Sequence, residues 1–147
     1  MLRWGSRYFF TYQSYFNYAK VAQLIYFVYL CYMKRKIRTY GGYFEAFMDT
    51  LSVKEQDKVQ YALLLLKTQD RLPTKFVKFI RDGLYELRIE SNSNIYRVFF
   101  IFDDGQIVVL FNGFQKKTQK TPSNEIKKAL KIKEEYYGDK QSQNSGL

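Results

Sequence analysis

At 147 residues and a formal charge of +10, the chain is long enough for one real core, and its basicity points to a polyanionic partner: nucleic acid, ribosome or an acidic protein. It holds no histidine and one cysteine, Cys31, which excludes an imidazole base, histidine-containing nucleophile triads, an internal disulfide and a zinc cluster. Catalysis, if present, has to come from Arg, Lys, Tyr, Glu or Asp; the scattered carboxylates suggest no magnesium site, and neither a metal nor a cofactor is expected.

Residues 1–32 form an aromatic-rich extension without one acidic side chain, and from Met33 onward residue usage is that of an ordinary globular domain. The extension carries +3 through Arg3, Arg7 and Lys20, which leaves +7 to the rest. Its apolar run, VAQLIYFVYLCYM, is short for a membrane span, contains Gln23, and runs into KRKIR, not into a small-residue cleavage site. Three readings stay open: an interfacial or partner-binding helix, a weak signal-like segment, or sequence upstream of a true start at Met33, which would place it outside the native protein.

KRKIRTY, ending at Gly41-Gly42, predicts a short strand whose basic residues suit a sheet edge. Tyr43 to Thr50 follows as a short helix with Phe44 and Phe47 at helical spacing. Ser52 and Glu55 then form a capping box that opens a second helix to about Thr68, with Val59, Leu63 and Leu66 as its stripe, widened by Ala62, Leu64 and Leu65. The two make a helical hairpin on the sheet. TKFVKFI leads on, with Lys75 and Lys78 facing solvent or a partner.

From Asp82 to Pro122, three runs rich in Tyr, Phe, Ile, Val and Leu are separated by SNSN and DDGQ, which predicts a meander of three antiparallel strands. A two-residue turn at Asp104-Gly105 would set Phe102 opposite Ile107, Phe99 opposite Leu110 and Arg97 opposite Asn112. An even-length loop at SNSN sets Arg88 opposite Arg97. Alternation then puts Glu86, Arg88, Arg97, Phe99, Leu110 and Asn112 on one face, and Tyr85, Leu87, Tyr96, Val98, Phe100, Val109 and Phe111 on a core face. Opposed arginines repel, so an anion is expected between them, in a shallow phosphate-sized site with Arg88 and Arg97 as floor and Lys116, Lys117 and Lys120 at the rim. A bland reading pairs Arg88 with Glu86 or Glu90. Thr121-Pro122 predicts an N-cap and first turn for a last helix, bearing Ile126, Ala129, Leu130 and Tyr137 on one side. Residues 138–147 are polar and expected as a disordered tail.

The combination DGLYELRI, NIYRVFF and GFQKKTQKTP, followed by an EIKKA helix, resembles the RelE/ParE superfamily of toxins from type II toxin-antitoxin pairs, and within it the HigB-like, phage-associated branch. The resemblance covers residues 33–137. It implies an α+β, RelE-like fold, with the N-terminal strand and helical hairpin packed on a small, mainly antiparallel sheet and a C-terminal helix. It also implies a cytoplasmic, metal-independent mRNA interferase that enters the ribosome and cuts mRNA by 2′-hydroxyl attack. Its partners would be the ribosome, mRNA and an antitoxin with a helix-turn-helix encoded next door, and no membrane.

On that resemblance Arg97 matches the family's strand arginine, Arg88 stands where relatives carry a strand cation, and Lys116 or Lys117 lies near a later basic position. Glu86 is an alternative base, and Tyr96, on the core face, a poorer one. Lys120, Lys78, Lys75 and Asn112 are expected to contact RNA. A ParE-like inhibitor of DNA gyrase and a noncatalytic RNA- or ribosome-binding module are the competing readings, because fold does not fix function.

Overall fold

A computed structural model describes residues 6–146. The chain divides into two compact units, 1–33 and 34–147. The first contributes helix α1, Ser6–Tyr32. From Val21 to Leu30 it is exposed all round, as expected of a helix with no single apolar stripe. Among the described residues, no helix is long and apolar enough to cross a membrane.

The second unit is α+β: β1 (Lys36–Thr39), α2 (Tyr43–Asp49), α3 (Val53–Thr68), β2 (Val77–Arg81), β3 (Leu84–Ser91), β4 (Asn94–Asp103), β5 (Ile107–Lys116) and α4 (Ser123–Ser145). The strands form one five-stranded mixed sheet in the order β1-β5-β4-β3-β2. β1 runs parallel to β5 at one edge, and all other pairs are antiparallel. The expected three-strand meander is thus the centre of a larger sheet. VKFIR, expected only to lead into it, is strand β2, whose tight turn at Asp82-Gly83 uses positive φ at both residues (51° and 74°). Because β2 is an edge, its alternation is masked by Lys78 and Arg81, which solvent accepts.

Helix α3 opens with the capping box read from sequence: Ser52 Oγ accepts from the Glu55 amide and the Glu55 carboxylate accepts from the Ser52 amide. Its stripe buries Val59, Ala62, Leu63 and Leu66, while Leu64 stays largely exposed. With Phe44 and Phe47 of α2, these residues cover one face of the sheet over Leu87, Val98, Phe100, Val108 and Leu110. The other face is covered as well. There Ala129 and Ile132 of α4 lie on Leu84, Phe99, Ile101, Val109 and Phe111.

That second core corrects the expected facing of β5. Asp103 pairs with Ile107 across Asp104, Gly105 and Gln106, a three-residue loop where a two-residue turn was expected. The register therefore becomes Phe102 to Val108 and Phe100 to Leu110. One residue of slip inverts a strand, so Leu110 faces α2 and α3, while Val109 and Phe111 face α4. A bulge between Val98 and Phe100 then shifts the register again, bringing Val98 opposite Gly113 and Arg97 opposite Phe114, not Asn112. Two slips restore parity, so Phe114 and Lys116 return to the face that carries Arg97. The first hairpin is as read, with Ser91 on Asn94 and Arg88 on Arg97.

Helix α4 starts one residue later than predicted, with Pro122 and not Thr121 at its N-cap. It also runs through the stretch expected as a disordered tail: residues 138–145 are helical, and Lys140 reaches Asp103 at 2.7 Å and Asp104 at 3.0 Å. Leu147 lies outside the described residues.

Candidate functional site

The opposed arginines sit at the open end of the α4-covered face, where Arg88 of β3 meets Arg97 of β4. The anion between them comes from the chain. Glu86, two residues before Arg88 and so on the same face, places Oε1 3.4 Å from Arg88 Nε and 3.2 Å from Arg97 Nε. Its Oε2 accepts a 2.7 Å hydrogen bond from Thr121 Oγ1. Neither Nε is aligned as a hydrogen bond, so the contact is ionic. Glu86 is only 1% exposed and the Arg97 side chain 5%, whereas Arg88 is 30% exposed. Both carboxylate oxygens are therefore engaged, which makes Glu86 a buried bridge and leaves it no lone position for a base.

Burial, and after it the positive charge of Arg88, pulls the Arg97 guanidinium below its ordinary pKa, against the opposing pull of Glu86. Its Nη1 donates to the Tyr96 carbonyl at 2.8 Å. Lys116, paired with Ile95, and Lys78, paired with Glu86, complete the cationic face. Lys116 is also held below the usual lysine pKa, by burial first and then by the charges of Arg97, Arg88 and Lys78. This cluster opens into a pocket of about 320 Å³ whose walls include Lys78, Arg88, Lys116, Lys120 and Thr121. Arg97 and Glu86 are not part of its walls; they form the charged layer beneath, so Arg97 is not the open floor expected from sequence.

The remaining expected residues fall elsewhere. Lys117 is not a wall of the cationic pocket; it lines a depression of about 640 Å³ beside Ser93 and Asn94, which Lys116 also borders. Lys75 lies on the α3 side, in a pocket of about 260 Å³ with Lys58 and Tyr61. Asn112 is buried and donates to Glu125 at 3.1 Å, so it presents no surface to RNA at the cationic face. Tyr96 is in the core, its hydroxyl donating to Glu55. Thr121, expected as the helix N-cap, belongs to the site instead: with Pro122 in the cap position, its hydroxyl is free to hold Glu86. Among the described residues, no three His, Cys, Asp or Glu side chains converge as metal ligands.

A mixed sheet with a helical pair on one face, a C-terminal helix on the other and a cationic cluster at one end defines a RelE-like α+β protein. The profile of the family described as Phage derived protein Gp49-like (DUF891) matches residues 46–134, and the chain belongs to that family, which is associated with toxins of toxin-antitoxin systems. The match begins inside α2 and ends within α4, so it takes in every residue of the cationic cluster. No curated protein matches the chain.

Proposed function

We propose that this chain is the toxin of a type II toxin-antitoxin pair and acts in the cytoplasm as a ribosome-dependent mRNA endoribonuclease. The observation that carries the reading is the convergence of Lys78, Arg88, Lys116 and Lys120 on one pocket of about 320 Å³, over a buried Arg97–Glu86 pair. The scissile phosphate would sit between Arg88, Lys78 and Lys116. Lys116, its affinity for a proton reduced by burial and by neighbouring cations, takes the proton of the adjacent ribose 2′-hydroxyl. The 2′-oxygen bonds to phosphorus, the 5′-oxygen leaves and collects a proton from solvent, and the products are a 2′,3′-cyclic phosphate and a 5′-hydroxyl. Arg88 and Lys78 oppose the charge that grows on the phosphoryl oxygens. Arg97 acts from below, by holding Glu86 and by its charge. Metal plays no part in this reading. A helix-turn-helix antitoxin encoded nearby would be the inhibitor.

The test adds the purified chain to a translating ribosome system and maps mRNA ends by primer extension, with Lys116→Gln and Arg88→Gln in parallel. New ends within codons that need ribosomes, Lys116 and Arg88 support the reading. Intact mRNA with the unaltered chain sinks it, and gyrase inhibition becomes the next activity to measure. Tight ribosome binding without cleavage would instead make the chain a noncatalytic module.

A further inference from the structure

Arg88 borders two pockets. It is a wall of the cationic pocket and also of the one on the α3 side, lined by Lys58, Tyr61, Lys75 and Glu90. The reason is local. β2 starts at Val77, so Arg88 passes the strand's beginning, its amide taking the Phe76 carbonyl at 2.7 Å while Nη1 reaches the Thr74 carbonyl at 3.3 Å. With no strand beside it there, the side chain borders both pockets, one on the α4 side of the sheet and one on the α3 side.

We infer that the two pockets together form a single-stranded RNA track, on which the strand leaving the cationic pocket turns past Arg88 and stacks a base on Tyr61. The inference rests on the nuclease reading and names where its substrate lies. Tyr61 is 57% exposed, and among the described residues its ring meets no other ring. Lys58 and Tyr61 lie three residues apart on α3 and so share a helix face. From the opposite wall, the Lys75 ammonium lies 5.4 Å from the centre of the Phe76 ring. Three cations, Lys58, Lys75 and Arg88, face one carboxylate, Glu90. Cations set around one open aromatic ring, Tyr61, fit a flexible polyanion whose bases are free to stack, and at about 260 Å³ the pocket suits one base, not a duplex.

The experiment uses the full chain and a fluorescent 2′-O-methyl oligoribonucleotide, which has no attacking hydroxyl, and reads anisotropy against salt. Tyr61→Ala is expected to weaken binding about tenfold and Tyr61→Phe to leave it nearly unchanged. Lys75→Ala should lower the slope of log affinity against log salt by about 0.7, the value for one lost single-strand phosphate contact. Tyr61→Ala and Lys75→Ala chains that bind like the parent while Lys78→Ala binds less would overturn the track and confine RNA to the first pocket. Failure of the parent chain to bind the oligonucleotide also overturns it. Cleavage on ribosomes is scored separately, so either result leaves the nuclease reading to its own assay.

Discussion

Two residues decide what the cationic pocket can do, and they do so from different depths. Lys116 lines the pocket, and its lowered pKa has burial as the first cause and the nearby cations as the next. Arg88→Gln removes one of those cations, so the Lys116 pKa should rise. The acidic limb of the single-turnover pH–rate profile should then move to higher pH, and the rate at neutral pH should fall about a hundredfold. An unmoved limb would take proton transfer away from Lys116. Arg97, by contrast, is a buried charge against a buried charge. Arg97→Ala should cost about 3 kcal/mol in urea unfolding, because it strips a partner from Glu86 inside the fold. Adding Glu86→Gln in that background should recover part of the loss, and a strictly additive double variant would show the pair to be uncoupled.

At the scale of elements, the start of α3 carries a pH-dependent tie to the sheet. Hydrogen bonds from the Tyr96 hydroxyl and then from Ser52 hold the Glu55 carboxyl down at about 2, from an ordinary 4.5. The charged form is the one favoured by folding, so this contribution is complete above about pH 4.5 and is lost as pH falls towards 2. Urea unfolding across that window should show stability declining in the parent chain and a flatter profile in Glu55→Gln. Ser52→Ala removes the cap acceptor and should cost about 1 kcal/mol at neutral pH. The capping box was legible because it is a local pattern of residue types. The bond from Tyr96 was not, since it joins residues 41 apart in the chain.

For the whole molecule, 1–33 and 34–147 are separate compact units, and the second closes its own N-terminal edge: the Lys34 and Arg35 amides donate to the Lys67 carbonyl at 2.9 and 3.2 Å. A chain beginning at Met33 should therefore unfold cooperatively at the same denaturant midpoint as the 34–147 unit in the full chain, and should keep the cleavage activity proposed above. A lowered midpoint, or a loss of cleavage with the fold intact, would show that the aromatic extension belongs to the working protein.

The amino-acid sequence by itself determined helices α2 and α3, the start of α4 to within one residue, the first hairpin and the opposition of Arg88 to Arg97, because each follows from residue types within one turn or one hairpin. It also carried the family resemblance, through GLYELR, YRV and GFQKKTQKTP. What tertiary structure decided is which residues face which way. A three-residue loop at Asp104 to Gln106 and a bulge opposite Phe99 each shift β5 by one residue, and only their sum returns Lys116, and not Lys117, to the face of Arg97. No local pattern announces the bulge, because it answers to packing against α2 and α4 together. The burial of Arg97 and the engagement of Glu86 are of the same kind: Thr121 and the start of α4 close over a carboxylate 35 residues earlier in the chain, and that closure turns the expected anion site into an internal ion pair with the pocket above it.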